Sequence, residues 1–168
     1  MTKARRDAAG TRPEIEEMRS GGLALGALDK IFGFHLRMAQ AVVYRDFVES
    51  LGELAITQKQ FAVLALVDAN PGASQVEIAE TLGTDRATMM ALVDRLDQRG
   101  WIERQVAATD RRRQALFLTE AGKAIHARAL ELVLAHETRL MTGIPAEERS
   151  ACLSLLRRLH SAPASHPA

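Results

Sequence analysis

The chain has 168 residues, and its 22 lysines and arginines against 21 aspartates and glutamates leave a formal net charge of +1. A hydrophobic share of 47% is typical of a globular protein with a real core, while the near-neutral charge gives no global evidence for a polyanionic partner. The absence of a long apolar run argues against a membrane span or signal peptide, and the single cysteine excludes an internal disulfide, so a cytoplasmic location is expected.

The two ends of the chain lack helical periodicity. Residues 1–22 mix charges, glycine and proline and are predicted to form a disordered arm, and residues 161–168 are predicted to form a flexible tail. From about Leu23 to Phe47, apolar residues recur at helical spacing on two adjacent faces. A helix that is apolar on two faces has to be covered on both, which favours a partner subunit.

Two further helices begin with capping-box patterns. Thr57 is followed three residues later by Gln60, and Ser74 is followed three residues later by Glu77. Residues 70–72, Asn-Pro-Gly, are a strong stop between these helices. The pattern predicts two short helices joined by a tight turn.

The residues after Ser74 have the spacing of a helix-turn-helix. Ala79 is small where two crossing helices must touch, Gly83 lies where a left-handed turn is needed, and Met89 faces back from the next helix. Thr84 or Asp85 is positioned to cap that second helix. The spacing predicts a DNA-binding motif whose second helix runs to about residue 98.

After residue 100 the pattern changes to that of strands. Residues 101–104 and 114–118 have strand character, and about nine residues between them hold a basic cluster. That cluster consists of Asp110 followed by Arg111, Arg112 and Arg113. A two-stranded ribbon with a basic tip, directly after a helix-turn-helix, predicts a wing that contacts DNA.

Two long helices are predicted to close the chain. Thr119 caps one that runs to about Leu140, and Pro145 opens the last one. The last helix carries a continuous apolar seam, formed by Ala151, Cys152, Leu155, Leu156 and Leu159. A seam of this kind suits a dimer interface and predicts that the Cys152 thiol is buried and unreactive.

Two segments carry a resemblance to a known family. LVDRLDQRGWIER and DRRRQALFLTEAG resemble the core of the MarR family of transcriptional regulators, and the likeness extends over roughly residues 25–160. The resemblance implies a mainly α (α+β) winged helix-turn-helix, with a DNA-binding lobe over 56–118 and a dimerisation region over 23–55 and 119–160. It also implies a homodimer that represses a catabolic or efflux operon and leaves its pseudo-palindromic operator when a small aromatic effector binds.

The resemblance assigns contacts to double-stranded DNA. In the family's wing, an aspartate followed two residues later by an arginine places that arginine in the minor groove, and Asp110 and Arg112 match this pair. Their neighbours Arg111 and Arg113 are then expected to contact the backbone. The complete set of candidate DNA-binding residues is Ser74, Gln75, Thr84, Arg86, Thr88, Met90, Asp110, Arg111, Arg112 and Arg113.

The second motif helix is expected to read bases. Arg86 is suited to guanine, and Thr88 or Met90 to a thymine methyl group. Many relatives carry a polar residue and then an arginine where this chain has Met90 and Ala91. Because of this departure, the resemblance does not extend to the operator sequence.

The first helix holds the candidate effector site. GFHLRMAQAVVYRDF is loosely similar to regulators of hydroxycinnamate and related aromatic-acid catabolism, some of which sense a coenzyme A thioester. The candidate ligand-binding residues are His35, Arg37, Met38 and Tyr44. The alternative is that His35 is an interfacial histidine with ordinary partners.

Other functions find little support in the sequence. The remaining histidines do not cluster with acids at metal-ligand spacing, and no catalytic grouping or phosphate-binding loop is present, so no metal, cofactor or enzyme activity is expected. The competing hypothesis is a winged helix that serves as a protein–protein interaction module and binds no specific DNA.

Overall fold

The computed structural model describes residues 19–20, 22–107 and 110–161; the side chains of 19–20, 107 and 110–113 lie outside the description. The helices are α1 (Phe32–Leu51), α2 (Gln58–Ala69), α3 (Gln75–Thr81), α4 (Arg86–Gln98), α5 (Glu120–Leu140) and α6 (Ala146–Ser161), and the strands are β1 (Arg19–Ser20), β2 (Leu23–Ala24), β3 (Ile102–Ala107) and β4 (Asp110–Leu118). None of these helices is long and apolar enough to cross a membrane. The chain divides between Val42 and Val43 into two compact units.

The first unit begins differently from the prediction. Instead of one helix from Leu23, β1 and β2 form a short antiparallel pair and a 3-10 turn spans Gly26–Lys30. Gly26 has φ 54°, a left-handed value that a continuing helix cannot contain. The helix therefore starts at Phe32 and, in the second unit, ends at Leu51. Within the predicted arm over 1–22, residues 19–20 pair with residues 23–24. Residues 1–18 and 21 lie outside the description, so the arm stays a prediction.

The second unit is organised around one buried apolar cluster. Every element from the end of α1 to α5 contributes to it, and its largest fully buried apolar side chains are Leu51, Leu64, Met89, Leu96, Ile102 and Leu116. Each such side chain contributes about 1.5–3 kcal/mol through removal from water. The two motif helices and the ribbon are thus fixed on a common core.

Both predicted capping boxes are confirmed. The Gln60 backbone N–H donates to the Thr57 hydroxyl over 3.2 Å, and the Thr57 N–H donates to the Gln60 side chain over 3.0 Å. Ser74 and Glu77 make the same reciprocal pair at the start of α3. These bonds satisfy helix N–H groups that otherwise lack partners, which defines where α2 and α3 begin.

The helices α5 and α6 differ in how they are covered. α5 buries Gly122, His126, Ala129 and His136, whereas α6 buries no residue within the chain. The Cys152 thiol is therefore exposed, and the predicted burial is wrong for the single chain. Beyond Ser161, the predicted tail lies outside the description.

Candidate nucleic-acid interface

α3, a tight turn and α4 form the predicted helix-turn-helix. Ala79 is almost fully buried, so its small side chain lets the two helices approach closely. Gly83 has φ 57°, and the Thr84 N–H donates a hydrogen bond to the Ala79 carbonyl over 2.9 Å. Asp85, one of the two predicted caps, accepts from the Thr88 N–H over 2.9 Å. The sequence spacing is thus confirmed as a packed two-helix motif.

The recognition helix α4 has one buried face and one exposed face. The buried face consists of Met89, Leu92, Val93 and Leu96. Arg86, Ala87, Met90 and Ala91 line the exposed face. The structure therefore presents two predicted base-reading residues, Arg86 and Met90, together with Ala91, which departs from the family pattern, and Ala87, which the sequence analysis did not single out. The i, i+4 spacing of 87 and 91 was the available signal.

The Thr88 side chain is less available for a contact with DNA than those of Arg86 and Met90. It is half-buried, and its backbone and side-chain hydrogen bonds to the Asp85 carboxylate hold the pKa of that group below its usual value. These bonds stabilise the start of α4. A contact between Thr88 and a base remains a prediction, but its side chain already takes part in a cap.

At the start of α3, one of the two predicted phosphate-contacting residues is used in the cap and the other is not. Ser74 is buried, and its hydroxyl both accepts from the Glu77 N–H over 3.4 Å and donates to the Glu77 carboxylate over 2.8 Å. Gln75 is half-buried on the outer side of the motif. Of the two predicted phosphate contacts, only the Gln75 side chain has no role in the capping box.

The predicted wing is present as an antiparallel ribbon. β3 and β4 pair from Ile102 opposite Leu118 to Val106 opposite Gln114, followed by an irregularity at Val106/Ala107. The backbone of Asp110–Arg113 lies at the far end of the ribbon, away from the end that contains Ile102. The side chains of these four residues lie outside the description, so their contacts with DNA remain predictions.

The base of the wing is joined to the helix-turn-helix. The Gly72 N–H donates to the Leu116 carbonyl over 2.8 Å, and the Leu116 N–H donates to the Ala73 carbonyl over 3.0 Å. Ser74 and Ala115 form an isolated antiparallel bridge in the same place. The segment before α3 therefore extends the ribbon, which holds wing and motif in a common frame.

An ion pair between the wing and α4 was not foreseen. Arg104 of β3 binds the carboxylate of Asp94 and lies 3.9 Å from that of Asp97. Two acids three residues apart on one helix face, followed by an arginine on the next strand, were the signal in the sequence. In the connection between α4 and β3, the Arg99 guanidinium lies 4.0 Å from the centre of the Trp101 ring.

All four predicted ligand-binding residues belong to α1. Within the first unit, His35 is half-buried and its Nε2 lies 2.7 Å from the Asp29 carbonyl oxygen. Arg37 and Met38 are exposed, and an Arg37 nitrogen lies 3.8 Å from the Met38 sulfur. Tyr44, in the second unit, is 54% exposed. The structure thus gives His35 a partner within its own unit, and both its role in ligand binding and the interfacial alternative remain predictions.

A polar network on α1 and α5 was also missed. His136 is 1% exposed, and its Nδ1 bonds to the Asp46 carboxylate, while Arg139 donates to the Ser50 hydroxyl over 2.7 Å. The hydrogen bond from His136, followed by the charge of Arg139, holds the pKa of Asp46 below its usual value. The described residues contain no group of three or more histidine, cysteine or acidic side chains placed to hold a metal ion.

Comparisons with known proteins agree on one family. A model described as "MarR family" matches residues 56–113. A candidate transcriptional regulatory protein for the hcr operon of Thauera aromatica is 30% identical over 147 residues, covering 87% of this chain and 89% of the relative.

Two solved structures named as the transcriptional repressor CouR are similar over most of their length. One, bound to a 23-mer DNA duplex, is 41% identical with a TM-score of 0.79 and covers 82% of this chain and 98% of the other. The second, bound to p-coumaroyl-CoA, is 38% identical with a TM-score of 0.76 and covers 84% of this chain and 99% of the other.

Proposed function

The chain belongs to the MarR family of transcriptional regulators, and we propose that it is a dimeric repressor that binds an operator and releases it on binding a small aromatic ligand. One observation supports this most directly. The helix-turn-helix, with one exposed face on α4, is joined to the base of a wing whose tip has a basic sequence, by backbone hydrogen bonds between the segment before α3 and β4. A DNA-bound repressor with 41% identity supports the same role.

DNA binding is proposed to combine two kinds of contact. α4 enters the major groove with Arg86 and Met90, and the wing brings Arg112 to the minor groove, oriented by Asp110. Arg111 and Arg113 are proposed to contact the phosphate backbone, as are the polar groups around Gln75. The remaining candidates, Ser74, Thr84 and Thr88, support the geometry of the motif through their caps and turn.

The dimer is proposed to form through the uncovered helices. On α6, Leu155 and Leu159 of the predicted seam are each more than 40% exposed, although monomeric proteins rarely leave a contiguous apolar seam in water. Two winged helices held by such an interface would match a pseudo-palindromic site. The domain assignment of 23–55 and 119–160 to dimerisation is part of this proposal.

The effector is proposed to be an aromatic acid or its coenzyme A thioester. The CouR structure with p-coumaroyl-CoA supports this ligand class. On this chain the candidate contacts are His35, Met38 and Tyr44 for an aromatic group and Arg37 for a carboxylate or phosphate.

The test of DNA binding uses the promoter next to the protein's own gene. Fluorescence anisotropy should show tighter binding to that duplex than to a random duplex at physiological salt. Arg112→Ala should weaken specific binding and flatten its salt dependence, because fewer counterions are released. Arg157→Ala, on the side of α6 away from its apolar seam, serves as the matched control and should leave the slope unchanged. Equal affinity for promoter and random DNA would instead support the protein–protein module.

The same complex tests the effector. Titration with p-coumaroyl-CoA, p-coumarate and coenzyme A alone should lower the anisotropy for at least one aromatic ligand and not for coenzyme A. A ligand that binds the folded protein should also raise its melting temperature. If neither aromatic compound changes the anisotropy or the melting temperature, this ligand class is wrong.

A further inference from the structure

A small apolar slot opens on the outer side of the helix-turn-helix. Its volume is about 210 Å³, and it is lined by Gln75, Val76 and Ala79 of α3 and by Arg86, Ala87 and Met90 of α4. Val76 is 41% exposed and Met90 is 54% exposed, while Ala79 is buried beneath them. The large apolar side chains of Val76 and Met90 are thus open to solvent, and the small side chain of Ala79 forms the base of the slot.

The slot lies where a base edge would meet the protein. Gln75 and Val76 are the first two residues of α3, and Arg86 and Ala87 are the first two of α4. In helix-turn-helix proteins the N-terminal part of the recognition helix contacts base edges in the major groove. Arg86 makes no ion pair with any described residue, so its cationic group at the rim is available to DNA.

One group in the major groove matches an apolar receptor. Thymine presents an apolar C5-methyl group there, whereas the polar groups of the four bases are hydrogen-bond donors or acceptors. A donor or acceptor pressed against Val76 and Met90 would lose its water without gaining a hydrogen-bond partner, which is unfavourable. The flexible thioether of Met90 can close around a methyl group.

We propose that Val76, Ala87 and Met90 form a thymine-methyl receptor that sets the operator preference of this protein. The inference rests on the proposed DNA binding and adds a residue of α3, Val76, to the specificity determinants. It also explains how a chain with Met90 and Ala91, in place of the polar residue and arginine of many relatives, reads its site. At least one thymine in each half-site meets the slot.

The test removes only the methyl group. In a duplex that wild-type protein prefers over random DNA, each thymine is replaced in turn by deoxyuridine, and affinities are measured by anisotropy. Loss of one buried methyl should weaken binding roughly fourfold at the slot position of a half-site, and substitution at other thymines provides the internal control. In Val76→Thr and Met90→Gln, the ratio of thymine to uracil affinity at that position should approach one. Val48→Thr, at a valine of α1 that is 49% exposed against 41% for Val76, should keep the wild-type ratio.

The outcomes separate this inference from the proposed function. A wild-type protein that prefers no duplex over random DNA overturns the proposed function and the receptor together. Preference for the duplex with no thymine sensitive to uracil leaves the function intact and overturns the receptor. A methyl effect that persists unchanged in both slot variants places the receptor elsewhere and also refutes it.

Discussion

α4 and α6 show how two helices with apolar seams acquire different structural roles. α4 buries Met89, Leu92, Val93 and Leu96 in the core of its own chain, whereas α6 buries none of its residues. Both helices are amphipathic, yet only one finds its cover in the same chain. An apolar seam therefore indicates that a helix must be covered, but not whether the cover comes from the same molecule.

Because of this difference, α4 contributes to the stability of the single chain and α6 to the proposed dimer. α4 depends on intrachain packing, so the position of its exposed face is as well defined as the core beneath it. α6 depends, on our proposal, on a second copy, so its contribution varies with protein concentration. The DNA-reading surface and the dimer contact can thus be perturbed independently.

The largest effect is expected for Leu96→Ala on α4. Leu96 is fully buried, and its truncation should lower the free energy of unfolding by about 2–5 kcal/mol, because a cavity replaces packed atoms. Urea denaturation at fixed protein concentration measures this cost. The matched truncation Leu155→Ala on α6 should cost far less within the folded chain. Equal costs at concentrations where both variants are monomeric would remove the distinction between the two helices.

An intermediate effect is expected for Leu155→Asp on α6. A carboxylate in the proposed interface should raise the dimer dissociation constant at least tenfold, or about 1.4 kcal/mol, while the helical content of the chain is kept. Analytical ultracentrifugation over a dilution series measures the constant. Arg157→Asp, on the opposite side of α6, serves as the control for an added aspartate and should leave the dimer intact. An unchanged constant in Leu155→Asp would show that α6 is covered by something other than a second copy.

The smallest effect concerns the polar contact between α1 and α5. Because the His136 hydrogen bond and the Arg139 charge hold the pKa of Asp46 below its ordinary value of 3.8, folding favours the ionised carboxyl. The resulting stabilisation is present above that ordinary value and is lost as the pH falls through the lower pKa of the folded state. Urea denaturation below pH 5 should show a steeper decline in wild type than in Asp46→Asn. Parallel curves would mean that this network contributes nothing to acid sensitivity.

The winged-helix order could be predicted because its signals are local. Thr57 with Gln60 and Ser74 with Glu77 each satisfy backbone donors within a single turn, and Gly83 supplies a conformation that its neighbours disfavour. For the same reason the exposure of Arg86 and Met90 followed from helical periodicity. The start of α1 was missed because the left-handed Gly26 interrupts an otherwise regular apolar pattern.

The candidate site needed contacts between distant parts of the chain. The sequence holds only a weak signal for the Arg104–Asp94 pair, in two acids on one helix face and an arginine on the next strand. Nothing in it joins Ala73 to Leu116 by a backbone bond or places Val76 across from Met90. Such pairs depend on how helices and strands pack, and packing is a property of the whole core.

The sequence by itself determined the starts of α2 to α6, the order of motif and wing, and the resemblance to the MarR family, because caps, turns and periodicity act over a few residues. Only the tertiary structure decided which apolar seam is buried within the chain, which hydroxyls are used in caps, and that Val76 and Met90 line one slot. The physical reason is that burial and juxtaposition depend on which surfaces meet, and a one-dimensional pattern specifies that a surface is apolar without specifying its partner.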